Sequence, residues 1–132
     1  MVKNAAYYGT TGTVTVDGDE HFGVTSCALV PTTTKEQVPD ISGDVQALTS
    51  VPMWQLQLTA HQDHVTAGAL VRESVGWHGT EKDVVYVPQN GGDSIAVTVV
   101  WEAAQLGGDT GRRSFTLNLG VVGQPAITPP AP

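Results

Sequence analysis

Between residues 54 and 61 the chain alternates strictly between apolar and polar side chains. The apolar set is Trp54, Leu56, Leu58 and Ala60. The polar set is Gln55, Gln57, Thr59 and His61. Because successive side chains of a β-strand point to opposite faces, this period of two predicts a strand with one face in the core. Its other face is polar but uncharged.

The same period returns in two later segments, residues 94–102 and 114–121. Their predicted core positions are Ile95, Val97, Val99, Trp101, Phe115, Leu117, Leu119 and Val121. Their alternate positions, predicted to face away from the core, include Thr98, Glu102, Ser114, Thr116 and Asn118. Each strand is assigned as a unit, since a slip of one residue would exchange its two faces.

The other elements are weaker. Thr13 to Val16 alternates and meets the hairpin signal Asp17-Gly18, and a second strand runs from about Gly23 to Lys35. Pro31 in that strand indicates a bulge or an edge position. A further strand, "KDVVYVPQNGGD", ends at a Pro and a Gly-rich turn.

One segment changes period, because residues 65–76 place apolar side chains at helical spacing. Val65, Ala69, Leu70 and Val75 form the predicted face. Thr66 is the predicted N-cap, and Gly76 the predicted end. The resulting order, β-β-loop-β-α-β-β-β, predicts a mostly β protein: one domain, an antiparallel sandwich or barrel with one flanking helix.

Three segments lack a regular pattern: an extended N-terminal arm (about 1–12), a projecting loop (about 36–51) and a Pro-rich tail (about 123–132). Loops longer than about 12 residues are usually functional or disordered. We therefore expect the projecting loop to contact other subunits, through acidic and apolar residues: Asp40, Ile41, Asp44, Val45 and Leu48.

The net charge and the low fraction of charged residues exclude some classes of function. The net charge is -7, and only 14% of the residues are charged. An acidic chain does not bind nucleic acid phosphates through a basic face, whereas a low charge density suits buried subunit interfaces. The first dozen residues lack the apolar region of a signal peptide. No stretch approaches the roughly 18 apolar residues of a membrane span, so no membrane association is predicted.

Candidate chemistry is sparse. In "HQDH", His61 and His64 straddle a strand-to-helix junction, so they need not converge on a metal as zinc requires. The segment 107–111, "GGDTG", joins two strands and lacks the helix or lysine of a phosphate loop. Cys27 is interpreted as a small apolar strand residue. The sequence therefore predicts no catalytic, metal or cofactor site, and no enzyme.

Four segments, in order, resemble one family. They are "VPMWQLQLTAHQD", "AGALVRESVGWHG", "DVVYVPQNG" and "GGDTGRRSFTLNLGVVGQP". Together they resemble, from about Val24 to Gln124, the tail tube (major tail) proteins of long-tailed bacteriophages. The specificity lies in the order of the segments, since none of them is a short signature of high information.

The resemblance implies a virion protein of the phage tail, assembled in the cytoplasm of the bacterial host. Six subunits would form a ring, and rings would stack into a hollow tube around a tape-measure protein. Tail terminator and distal tail proteins would be the further partners. DNA would pass through the lumen without specific binding. The polar positions that alternate with the core residues, all uncharged except Glu102, would then line it: Gln55, Gln57, Thr59, Thr98, Glu102, Ser114, Thr116 and Asn118.

Three other functions stay open: a phage head decoration or connector protein, a carbohydrate-binding β-sandwich, and a small hydrolase. A decoration protein would bind capsids instead of building tubes. A sugar binder would expose an aromatic platform, for which Trp77 is the sequence candidate because Trp54 and Trp101 fall on apolar strand faces. A hydrolase would need a nucleophile, and no nucleophile elbow occurs.

Overall fold

The computed structural model describes residues 4–6, 12–108 and 110–130. Within them lie nine strands and one helix. The strands are β1 (Thr13–Val16), β2 (Asp19–His21), β3 (Val24–Thr32), β4 (Lys35–Pro39), β5 (Val45–Thr49), β6 (Met53–His61), β7 (Glu81–Val87), β8 (Ser94–Val100) and β9 (Ser114–Thr128). The helix is α1 (Leu70–Trp77). The N-terminal arm predicted over about 1–12 falls mostly outside the described residues.

Seven of the strands form one antiparallel sheet, in the order β2-β1-β7-β8-β9-β6-β3. The sheet curls so that its two ends approach each other. A cavity of about 570 Å³ shows this, because it is lined both by β1 and β2 and by β3, which lie at opposite ends of that order. The predicted fold class, a mostly β antiparallel sandwich or barrel with one helix, is confirmed. Pro31 lies in β3, an edge strand, as its lack of an N–H favours.

The hydrophobic core lies on the concave side of this sheet. β6 and β9 bury the apolar halves of their alternation, and β8 buries Val97 and Val99. Trp101 follows β8, is fully buried, and meets Trp77 edge to face at 5.3 Å. Trp54 departs from the predicted core set, since it is half-buried and lies outside the core cluster. The buried residues of β6 and β9 are Leu56, Leu58, Ala60, Phe115, Leu117 and Leu119.

The helix is shorter than predicted and buries a different face. It begins after Ala69, and neither Thr66 nor any other side chain caps it. Gly68 has a φ of 77°, which a helix cannot include. The buried side chains are Leu70, Val71 and Ser74, whereas Val65 and Val75 are exposed.

The predicted projecting loop is a β-hairpin, so its irregular assignment was wrong. β4 and β5 pair with each other, and every residue of both is exposed. Ser50 N donates to Thr34 O at 2.9 Å, which links the hairpin to the end of the β3–β6 pair. A five-residue strand extends about 17 Å, so the hairpin projects well beyond the sheet.

The expectation that the tail over about 123–132 lacks regular structure was wrong for residues 123–128, because β9 continues to Thr128. The ladder with β8 shifts register between Ala96 and Thr98, where β9 carries two extra residues. Gly123, with a φ of 79°, and Pro125 lie in this bulge. A bulge tolerates a proline because a bulged residue does not have to donate a hydrogen bond to the ladder.

Candidate functional site

The exposed face of β6 and β9 is a ladder of neutral polar pairs. Gln57 lies opposite Asn118, and Thr59 lies opposite Thr116. The two threonine hydroxyls are 3.1 Å apart and hydrogen-bond each other. Further along the ladder, Ser114 pairs with His61. Because the alternate residues fill the core, these side chains point away from it.

Of the other residues predicted to line the lumen, two lie on this face and one does not. Gln55 lies on the same face, opposite Gly120. Thr98 is also on it and donates from its hydroxyl to Asp83 Oδ1 at 2.8 Å. Glu102 is exposed but lies beyond β8, which ends at Val100. Its assignment to the sheet face by strand alternation was therefore wrong.

The fold adds residues to this face that the alternation of single segments did not indicate. β3 pairs with β6 and places Ser26, Ala28 and Val30 beside Thr59, Gln57 and Gln55. Four adjacent strands, β8, β9, β6 and β3, contain no Asp, Glu, Lys or Arg. We call the exposed side of these four strands the neutral face. Its extent becomes visible only when the strand order is known.

The projecting hairpin carries the other predicted contact residues. Ile41 at its tip is fully exposed, and Val45 and Leu48 are 60% and 51% exposed. Asp40 forms the turn, because its Oδ1 accepts hydrogen bonds from Ser42 N, Ser42 Oγ and Asp44 N at 2.7–3.0 Å. The bonds from Ser42 and the turn amides lower the pKa of Asp40. Asp40 is thus a structural turn residue, while the apolar side chains remain available for contact.

The "HQDH" segment is a structured strand exit. Asp63 Oδ1 accepts from Val65 N at 2.9 Å and Thr66 N at 3.0 Å. His64 Nε2 lies 3.1 Å from Gln62 Oε1. Within the described residues, no group of three His, Cys, Asp or Glu side chains is arranged to hold a metal ion.

Asp63 gives a prediction about pH. Its hydrogen bonds with Thr66, and then with Val65, lower its pKa from 3.8 to about 2. A lowered folded-state pKa stabilises the fold above the unfolded pKa, and that contribution disappears as the pH falls through the folded value. We expect Asp63→Ala to lower the melting temperature at pH 6, and the difference from wild type to shrink towards pH 2. Asp93→Ala, at an exposed loop position, is the control in thermal unfolding followed by circular dichroism.

Gln62 organises the connection between β8 and β9, which sequence analysis missed. Its Nε2 donates to Gly107 O at 2.9 Å and to Ser114 O at 3.0 Å. Its Oε1 accepts from Gly107 N at 2.9 Å. The side chain therefore fixes the Gly-rich segment against the start of β9, and with it the first rung of the neutral face.

We expect Gln62→Ala to destabilise the fold by about 1–2 kcal/mol, because partly buried backbone groups lose their partners. Gln57→Ala removes the same amide from an exposed position and should stay within about 0.5 kcal/mol of wild type. Urea unfolding of both variants measures the difference. Equal stability of the two variants would show that the Gln62 contacts contribute nothing.

Other features offer little chemistry. Burial raises the pKa of the Cys27 thiol to about 12, which makes it a poor nucleophile. A cleft of about 710 Å³ between β2 and α1 is lined by Asp19, His21 and Glu73, among others, but by no Ser or Cys among the described residues. Burial lowers the pKa of His21. Among the described residues, this cleft therefore offers the hydrolase alternative no serine or cysteine nucleophile.

The tryptophans are engaged within the chain. Trp77, the sequence candidate for a sugar platform, packs against Trp101, and the Lys82 ammonium lies 4.8 Å from its ring centroid. Trp54 Nε1 donates to Gln124 Oε1 at 2.8 Å. These contacts occupy Trp77, so the sequence candidate for a sugar platform does not favour carbohydrate binding.

The chain matches no protein-family model and no curated protein. Among the described residues, no helix has the length and apolarity needed to cross a membrane. The functional assignment therefore depends on the surfaces of the fold itself.

Proposed function

We propose that this protein is a structural virion protein, the protomer of hexameric rings that stack into a phage tail tube. DNA passes through the lumen of that tube during genome ejection. The observation that carries the proposal is the neutral face, in which four adjacent strands hold no charged residue. A wall of short, uncharged polar groups gives a sliding polyanion no fixed cation to bind.

The edges of the sheet also support an assembly. β3 is a nine-residue uncharged edge strand, and β2 forms the opposite edge. A long exposed edge without charges is an aggregation hazard in a monomer unless another strand or chain covers it. Pairing between subunits around a ring covers such edges. Heterologous contacts form a closed ring when the rotations from each subunit to the next add up to a full turn.

The hairpin supplies a contact surface directed away from the sheet. A two-stranded hairpin is marginally stable in water by itself, and this one exposes apolar side chains on both of its faces. We assign it to contacts with a neighbouring subunit. The tape-measure protein would occupy the lumen before DNA does, and tail terminator and distal tail proteins would close the two ends.

Electron microscopy of the purified protein over a range of concentrations tests the proposal. Rings or hollow tubes with sixfold symmetry are the expected result. Sedimentation that shows only monomer at every concentration, with no tubes formed beside a tape-measure protein, would contradict it. Trimers that bind capsids would instead identify a head decoration protein.

A further inference from the structure

A shallow apolar groove of about 260 Å³ lies near the end of β9. Trp54, Tyr86, Leu29 and Ile95 contribute to its walls, and Ile127 of β9 lies at the same groove with 64% of its surface exposed. These residues come from β3, β6, β7, β8 and β9. The groove is therefore a composite of both halves of the curled sheet and does not belong to the neutral face.

The aromatic wall of the groove is held in place by hydrogen bonds. Trp54 Nε1 donates to Gln124 Oε1 at 2.8 Å, and Gln124 Nε2 donates to Pro52 O at 2.9 Å. This relay fixes the orientation of the indole ring before any ligand arrives. A pre-oriented wall lowers the entropy lost on binding.

The chemistry of the groove fits a proline-rich segment. Aromatic-lined grooves dock polyproline II segments, which are already extended and therefore lose little entropy. The walls contributed by Trp54 and Tyr86 give the groove this aromatic character. The chain itself contains a segment of this kind, without charged side chains, from the last residue of β9 onwards: Thr128, Pro129, Pro130, Ala131 and Pro132.

We propose that this groove binds the 128–132 segment of a second copy of the chain. The segment cannot readily enter the groove of its own chain, because each of Thr128 and Pro129 precedes a proline and is restricted to extended conformations. Pro129 and Pro130 are exposed beyond the strand end. Four residues follow Thr128 in the sequence, and a polyproline II segment of that length spans roughly 12 Å at about 3.1 Å per residue. Neither the groove lining nor the segment carries a charged side chain, so no desolvated side-chain ion opposes the contact.

The test uses the chain shortened at Thr128, which leaves β9 intact, and a synthetic peptide of sequence TPPAP. In ¹⁵N NMR, the indole N–H resonance of Trp54, assigned with Trp54→Phe, should shift saturably as peptide is added. The resonances of Trp77 and Trp101, which pack against each other away from the groove, should not move. A peptide with alanine in place of its three prolines should cause no shift.

A matched pair of variants in one strand locates the site. Ile127→Ser should weaken peptide binding by roughly 3- to 10-fold, because part of an apolar contact is lost. Val122→Ser, also in β9 but paired with Thr98 on the neutral face, should leave binding unchanged. Absence of a saturable shift, equal binding of the alanine peptide, or equal binding by the two variants would each overturn the proposal.

This contact does not depend on the assembly being a tail tube. If the peptide binds the groove but the full chain forms no rings or tubes, the groove assignment stands and the proposed function fails. If tubes form but the peptide does not bind, the groove assignment alone is wrong.

Discussion

The double variant Ile41→Ser and Leu48→Ser is expected to remain a folded monomer that no longer assembles. Both side chains lie on the projecting hairpin, where they are exposed in the single chain. Exposed substitutions usually change the free energy of unfolding by less than about 0.5 kcal/mol. The loss should therefore appear in association and not in the melting temperature.

The expected size follows from apolar burial. Full burial of an Ile or Leu side chain contributes about 1.5–3 kcal/mol. If both are covered by a neighbour, their loss removes about 3–6 kcal/mol from each contact, or roughly a 10²- to 10⁴-fold lower association constant. Sedimentation velocity and electron microscopy across concentrations measure it directly.

Two exposed apolar residues elsewhere form the control. Val65→Ser and Leu106→Ser remove comparable apolar side chains, 91% and 59% exposed, from outside the hairpin. This variant should assemble like wild type. A hairpin variant that assembles at the same concentration as the control would refute the contact role of the hairpin, and deletion of residues 42–47 should then also be tolerated.

The strands with one buried face were predictable from sequence. Leu56 and Leu58 alternate with Gln55 and Gln57 because burial on one face and solvent on the other impose different side chains. The same reasoning located the cores of β8 and β9. Where a strand buries only one face, the sequence predicts both the strand and which side chains face the core, since a slip of one residue would bury the polar set.

The hairpin was missed for the converse physical reason. Val38 and Leu48 lie on one face of it, and Val45 lies on the other, yet all are exposed. Without a buried face there is no apolar–polar alternation to detect. In the assembly proposed above, a neighbouring subunit would cover these apolar side chains, and the single chain does not contain that neighbour.

Pairing across the chain explains the remaining errors. Pro125 is compatible with β9 because it lies in a bulge opposite β8, where no ladder hydrogen bond from its nitrogen is needed. The register shift that creates this bulge depends on the pairing of both strands. Gln62 bonds to Gly107 and Ser114, which are distant in sequence. Glu102 fits the alternation of β8, but the backbone of Trp101 bonds to residues 79 and 80 instead. The alternation within a single segment gives no information about these partners, because they are distant in sequence.

The neutral face supplies the second large effect. Gln57→Lys with Thr116→Lys should leave the fold and any tube intact but make the bore retain DNA. The two positions lie on adjacent strands of one exposed face, with Thr116 opposite Thr59 and Gln57 opposite Asn118. Each subunit would add two cations to a wall whose four adjacent strands, β8, β9, β6 and β3, carry no charged residue. Repetition around the rings would create a strong positive potential.

The retention should depend steeply on salt, because bound phosphates release counterions. Each phosphate neutralised adds about 0.9 to the slope of log affinity against log salt, and screening beyond roughly 10 Å at 0.1 M confines the effect to DNA inside the bore. Particles carrying the two lysines should therefore eject DNA slowly at low salt and recover speed at high salt. Thr66→Lys with Ala67→Lys adds the same charge at exposed positions before α1 and should not slow ejection. Normal ejection by the Gln57 and Thr116 lysine particles at low salt, or equal slowing by the control, would place the neutral face outside the lumen.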